Sequence, residues 1–83
     1  MSKKASNTFS LEVIKTYATT LQLFIWGVSE TKLLSSVRMF ENLDEYEECE
    51  GINRGVSFIK ENTREDVHIE LMSVMKKITN EIN

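Results

Sequence analysis

The chain contains no proline, and its 83 residues include one cysteine, one histidine and three glycines. Without proline, no predicted helix has to break or kink. Because Cys49 is the only cysteine, no intramolecular disulfide can form, which favours a reducing compartment. One histidine and one cysteine are too few for a zinc site of the usual ligand spacing. We therefore expect a helical protein without a metal or other cofactor.

Long apolar segments are also absent. The most apolar run, Leu21–Val28, is shorter than half of the roughly 20 residues that a membrane-crossing helix needs. Glu12 and Lys15 interrupt any apolar segment that could follow the N-terminal lysines, so we expect neither a signal peptide nor a membrane anchor. With 13 acidic and 10 basic residues, the chain has a net charge of -3, which disfavours broad attraction to nucleic acid or anionic lipid. A cytoplasmic protein is the expectation.

The apolar residues recur with helical spacing along most of the chain. Residues 1–8 are polar and predict a flexible tail, and residues 9–83 predict a single helical domain. Thr8 or Ser10 can cap a first helix that ends near Trp26, with Gly27 as a left-handed C-terminal residue. Ser29 can cap a second helix, whose apolar stripe contains Leu33, Leu34, Val37 and Phe40.

The third segment, residues 45–62, leaves three interpretations open. Asp44 and Glu47 fit a capping box, and one broad apolar face contains Tyr46, Cys49, Ile52, Val56 and Ile59. Gly51 and Gly55 would each cost ~1 kcal/mol inside a helix. The segment can therefore form one helix, two helices divided at Gly51, or a short hairpin through residues 53–55.

The last helix has the clearest signals. Asn62 or Thr63 can cap it, Thr63 and Asp66 fit a capping box, and one stripe contains Val67, Leu71, Val74, Met75, Ile78 and Ile82. Together these segments predict an all-α fold, a compact bundle of three or four helices with the first helix most buried.

Catalytic motifs are few. No glycine-rich phosphate loop and no nucleophile paired with a base is evident. Glu65 and His68 have the three-residue spacing of a glutamate and histidine in di-iron bundles, but the chain holds only one such pair. A half-exposed His68 at the edge of the apolar stripe is the simpler interpretation, and we expect a non-enzymatic protein.

Residues 41–50 hold six of the 13 acidic residues and no basic one. Carboxylates this close repel one another, so a cationic partner would stabilise them. The partner-binding residues that we predict here are Asp44, Glu45, Glu47, Glu48 and Glu50. They indicate a basic partner protein, whose nucleic-acid-binding surface they could occlude by mimicking phosphates. The alternative is an ordinary solvated helix face.

Two apolar residues on the first helix, Leu23 and Trp26, lie opposite its main stripe, and Ile69 and Met72 leave the stripe of the last helix. Other helices of the fold could cover Leu23 and Trp26, or another chain could. Because off-stripe apolar residues occur on two helices, we predict Leu23 and Trp26 as a binding patch and expect a homodimer.

The segment Gly27-Val28-Ser29 with Leu33 shortly after it resembles the turn of a helix-turn-helix DNA-binding protein. The resemblance covers roughly twenty residues. It implies that residues 29–40 form a recognition helix, used by a dimer. Leu23 departs from the small residue expected before the turn, and Lys32 and Arg38 are the only cations of that helix. The sequence therefore favours an adaptor, inhibitor or regulatory subunit that binds another protein, with DNA-binding regulation as the alternative.

Overall fold

The computed structural model describes residues 11–82, and the side chains of residues 11–80, as four α-helices without a strand. Helix α1 is Leu11–Ile25, α2 is Glu30–Asn42, α3 is Tyr46–Glu61 and α4 is Arg64–Ile82. The predicted all-α bundle is confirmed. The predicted tail at residues 1–8, the caps Thr8 and Ser10, and the side chain of Ile82 lie outside this description. None of the four helices combines the length and the apolar character that a bilayer crossing requires.

Helices α1 and α3 lie at the centre of the bundle. Helix α1 packs against α3 and α4, and α3 packs also against α2 and, less extensively, against α4. Leu21 and Thr20 on α1, together with Val67 on α4, are the largest fully buried side chains. The other core residues include Leu33, Val37, Ile52, Val56, Ile59 and Leu71. The prediction that the first helix is the most buried is wrong: α3 has six buried residues and α1 has four, because α3 packs against all three other helices.

Two glycines of α3 allow it to approach α1 closely. A Cβ atom on Gly51 would lie 2.6 Å from the Thr16 Cβ and 2.8 Å from the Val13 carbonyl oxygen. A Cβ atom on Gly55 would lie 2.6 Å from the Thr20 Cγ2. The later glycine meets the later threonine, so α1 and α3 run in the same direction. We call this contact the glycine seam.

The glycine seam decides between the interpretations of the third segment. Residues 46–61 form one uninterrupted helix, so the divided helix and the hairpin are both wrong. Gly51 and Gly55 do lower the helix propensity of α3, but any larger residue would separate it from α1. Tertiary packing therefore outweighs local propensity here.

The turn between α1 and α2 forms as predicted. Gly27 has a φ of 107°, and its N–H donates to the Phe24 carbonyl at 2.9 Å. The Val28 N–H donates to the Leu23 carbonyl at 3.0 Å, which completes a Schellman motif. The Ser29 hydroxyl then accepts a hydrogen bond from the Lys32 N–H at 3.2 Å and caps α2.

The predicted capping box of Asp44 and Glu47 is wrong. Asp44 has a φ of 59°, and its N–H donates to the Glu41 carbonyl at 3.1 Å, while the Glu45 N–H donates to the Phe40 carbonyl at 2.8 Å. These bonds make Asp44 the left-handed residue that ends α2. Glu45 is the N-cap of α3 and makes no side-chain capping bond.

The predicted capping box before α4 is confirmed. The Asp66 N–H donates to the Thr63 hydroxyl at 3.1 Å, and the Thr63 N–H donates to the Asp66 carboxylate at 3.4 Å. The Arg64 guanidinium donates to the Ile25 carbonyl and lies 5.4 Å from the centroid of the Phe24 ring. Arg64 thus fixes the start of α4 beside the end of α1, and the two helices are antiparallel.

Three residues assigned to apolar stripes are exposed instead of buried: Leu34, Tyr46 and Met75. Leu34 is exposed because α2 has one close neighbour, α3, which covers only the side that bears Leu33 and Val37. Tyr46 lies in the first turn of α3, where its hydroxyl bonds to Asp44 and its side chain is mostly exposed. The remaining described stripe residues are buried or pack against the core.

Candidate functional site

The structure divides the acidic segment, residues 41–50, into two parts. Glu41, Asp44, Glu45 and Glu47 are exposed. Glu48 and Glu50 are half-buried, and the Glu50 carboxylate accepts a hydrogen bond from the Arg54 Nε at 2.5 Å. Because Arg54 already offsets the charge of Glu50, the carboxylates left for a partner are concentrated before Glu48.

Large apolar side chains are exposed among these carboxylates. Met39, Leu43 and Tyr46 are 55%, 62% and 65% exposed. Met39 and Leu43 lie one helical turn apart at the end of α2, and Tyr46 begins α3. We call residues 39–47 the α2–α3 corner. It combines apolar area with four carboxylates and contains no basic residue.

A hydrogen bond orders the centre of the α2–α3 corner. The Tyr46 hydroxyl donates to the Asp44 carboxylate at 2.9 Å. This hydrogen bond and the negative charge of Asp44 raise the pKa of Tyr46 above its ordinary value. Tyr46 therefore stays neutral at physiological pH. The left-handed conformation of Asp44 sets the direction in which α3 leaves α2.

The sequence did not identify Met39, Leu43 or Tyr46 as surface residues. Tyr46 has the spacing of the buried face of α3. The sequence around Leu43 indicates only a break between two helices. A usable signal was the density of carboxylates around them, since an apolar side chain among unpaired charges is rarely in a core.

The predicted patch of Leu23 and Trp26 is only partly present. Trp26 is 73% exposed at the end of α1. Leu23 is half-buried: it packs against the core and lines a cavity together with Leu33 and Phe40 of α2. The fold itself therefore covers Leu23, and Trp26 projects without it.

A groove of about 540 Å³ runs along one side of the bundle, where α3 and α4 diverge above α1. Apolar residues from all three helices line it: Val13, Ile14, Tyr17, Phe58 and Val74. The rings of Tyr17 and Phe58 meet edge to face, with centroids 6.5 Å apart. Polar residues on the groove carry both signs of charge, including Arg54, Lys77 and Glu61.

One polar contact closes the floor of this groove. The Tyr17 hydroxyl donates to the Glu70 carboxylate at 2.8 Å, which connects α1 to α4. Burial raises the pKa of Tyr17 well above its ordinary value, and the hydrogen bond to Glu70 and that carboxylate's charge raise it further. Arg54 opposes this shift. Tyr17 is therefore a neutral hydrogen-bond donor with a structural role.

Cys49 is buried between α2 and α3, and its thiol donates to the Val37 carbonyl at 3.4 Å. Burial raises the pKa of the Cys49 thiol, and the carboxylates of Glu41 and Glu48 raise it further. Of these causes, burial is the largest. Cys49 thus behaves as a small core residue.

Glu65 and His68 lie on the exposed part of α4. Among the residues that the structure describes, no group of three histidine, cysteine, aspartate or glutamate side chains could hold a metal ion. The two side chains thus have no additional ligands nearby from which a di-iron centre could be assembled within one chain.

Lys32 and Arg38, the two cations of the resembled recognition helix, are both exposed on α2. At 100° per residue they lie about 120° apart around the helix, so they do not form one cationic stripe. Glu30 and Glu41 lie near the two ends of the same helix. No protein-family model matches the chain, and neither a curated protein nor a solved structure matches it.

Proposed function

We propose that the chain is a non-enzymatic, cytoplasmic protein that binds a positively charged partner protein through the α2–α3 corner. The observation that supports this proposal most directly is the exposure of Leu43 and Tyr46 among four exposed carboxylates. An adaptor, inhibitor or regulatory subunit works in this way. The single buried, free Cys49 fits a reducing compartment.

Each part of the corner has a separate role in this proposal. The side chains of Met39, Leu43 and Tyr46 supply the apolar area whose removal from water gives affinity. The surrounding carboxylates attract cationic residues at the rim of the partner's surface, which raises the association rate and excludes acidic competitors. A partner with basic residues around an apolar centre matches both parts. Such a partner could lose access to nucleic acid when bound.

The acidic character of the corner also separates this proposal from DNA binding. Glu41 and Asp44 would repel phosphates at the end of the proposed recognition helix. Lys32→Glu combined with Arg38→Glu should therefore leave partner binding unchanged. Loss of a nucleic acid ligand in that variant would support the helix-turn-helix alternative instead.

A pull-down from the lysate of the native host, with and without nuclease, tests the proposal. Leu43→Ser combined with Tyr46→Ser removes apolar area from the corner, and Trp26→Ala is the matched variant at another exposed aromatic residue. We expect one stoichiometric protein to remain after nuclease treatment with the unmodified chain and with Trp26→Ala, and to be lost with the corner variant.

Two results would contradict the proposal. Loss of the partner with Trp26→Ala, but not with the corner variant, would move the binding surface to the end of α1. Recovery of nucleic acid, with every protein lost after nuclease treatment, would favour the DNA-binding alternative.

We also infer that the protein self-associates as a homodimer. Ile69 and Met72 on α4 are 61% and 54% exposed, and they belong to a helix that contributes no residue to the α2–α3 corner. A second chain that covers them would also add stability to a domain of only 83 residues.

A further inference from the structure

We propose that two copies of the chain associate through the outer face of α4, with the two α4 helices antiparallel. This inference rests on the homodimer of the proposed function and adds its surface, orientation and register. It does not depend on the α2–α3 corner. The residues that carry it are Glu65, Ile69, Met72 and Lys76.

These four residues form one strip along α4. At 100° per residue they fall within about 60° of arc, on the side opposite the buried Val67, Leu71 and Val74. All four are exposed. The strip therefore faces away from the bundle, where another chain can reach it.

The apolar and charged residues of the strip are placed symmetrically about its midpoint. Ile69 and Met72 occupy its middle, with Glu65 before them and Lys76 after them, each equally far from the midpoint. An antiparallel second helix places its Met72 against Ile69 and its Lys76 against Glu65. Because the axis is two-fold, both contacts occur twice, giving two ion pairs around four apolar side chains.

Other arrangements of the same two helices are less favourable. A parallel pair would place Glu65 against Glu65 and Lys76 against Lys76, and like charges repel. An antiparallel pair centred on Met72 would place His68 against Lys76 and leave Glu65 without an opposite charge. A pair centred on Ile69 would place Glu65 against Ser73. Charge complementarity thus selects the register centred between Ile69 and Met72.

Within the part of the chain that the structure describes, neither charged residue of the strip has a competing partner. The one ion pair among the described residues joins Arg54 and Glu50, on α3. Glu65 and Lys76 therefore lose no existing ion pair when they face a second copy. A single pair of helices is a small interface, so we expect a weak dimer that forms at high protein concentration.

Sedimentation equilibrium over a wide concentration range tests this surface. Glu65→Lys alone and Lys76→Glu alone should each weaken dimerisation at least tenfold, because each places like charges together twice. The two substitutions combined exchange the charges and keep the ion pairs, so the double variant should regain the dimerisation of the unmodified chain. Met72→Ser should also weaken the dimer.

Lys60→Glu on α3 is the matched control, because it changes the net charge by the same amount at an exposed position outside the strip. We expect it to leave the dimer unchanged. Circular dichroism of every variant separates lost association from lost folding. A dimer that is insensitive to the single charge reversals, or a double variant that stays monomeric, would overturn the proposed surface alone. A chain that is monomeric at every concentration would overturn the homodimer itself.

Discussion

The glycine seam and the α2–α3 corner have opposite roles in the molecule, and the sequence alone indicates neither role clearly. At the glycine seam, two residues without side chains allow α1 and α3 to approach until their backbones nearly touch. At the corner, large apolar side chains remain in water beside carboxylates. The glycine seam is buried, so a partner cannot bind it, whereas the corner contributes little to the core.

This difference separates stability from binding. A substitution at the glycine seam changes the distance between two central helices, so it should lower stability and, through it, every other property. A substitution at the corner removes exposed area, so it should change binding while the fold persists. Four predictions test this separation.

Gly51→Ala should have the largest effect on stability. The added Cβ would lie 2.8 Å from the Val13 carbonyl oxygen and 2.9 Å from the Tyr17 backbone nitrogen, and neither atom can move without moving α1. Overpacking should exceed the gain in helix propensity and lower the free energy of unfolding by about 2 kcal/mol. Urea denaturation measures this change in the free energy of unfolding. Unchanged or greater stability would show that the close approach of α1 and α3 is incorrect.

Gly55→Ala should have a smaller effect, because the added Cβ meets only the side chain of Thr20. We expect a loss of about 1 kcal/mol. In a Thr20→Ala background the Cγ2 contact at 2.6 Å is gone while the Cβ contact at 2.8 Å remains, so the loss should be partly relieved, by about 0.5 kcal/mol. Thr16→Ala should give no such relief to Gly51→Ala, since alanine keeps the Cβ that lies 2.6 Å away and the clash also includes backbone atoms. Equal losses of stability for Gly51→Ala and Gly55→Ala, with equal relief by the second substitution, would contradict the geometry of the seam.

Tyr17→Phe should lower the free energy of unfolding by about 0.5–1.5 kcal/mol near neutral pH, because it removes the hydrogen bond to Glu70. The folded state raises the pKa of Tyr17, so this tyrosine stabilises the fold fully below its ordinary pKa of about 10 and progressively less above it. Urea denaturation from pH 8 to about 11 should show the difference between the two chains decreasing as pH rises. A difference that increases with pH would be inconsistent with this contact.

Leu43→Ser combined with Tyr46→Ser should have the smallest effect on stability and the largest on partner binding. Both side chains are mostly exposed, so we expect the urea midpoint to stay unchanged. The same preparation should fail to bind the partner. A variant that unfolds at much lower urea would show that these side chains support the fold.

Local features of this fold could be predicted from the sequence. The caps at Ser29 and Thr63 and the left-handed Gly27 were predicted correctly because each depends on residues within one turn of it. Among the described side chains, helical spacing also predicted the buried faces of α3 and α4, apart from Tyr46 and Met75. The acidic segment was evident from composition alone.

Features that depend on distant elements could not be predicted in the same way. Gly51 and Gly55 lie four residues apart on one helix face, a spacing that permits close packing, but only the fold shows that α1 is the neighbour. Asp44 was predicted to begin α3 because aspartate caps helices well, whereas it ends α2 in a left-handed conformation. The exposed Leu43 and Tyr46 lie on either side of that turn.

Amide chemical-shift mapping of the isotope-labelled chain, titrated with the purified partner from the pull-down, tests the α2–α3 corner most directly. We predict that the largest shifts occur in residues 39–47, that they diminish at high salt, and that the glycine seam and the groove beside Tyr17 change little. Shifts concentrated around Trp26 or in the groove, with residues 39–47 unaffected, would contradict the proposed binding surface.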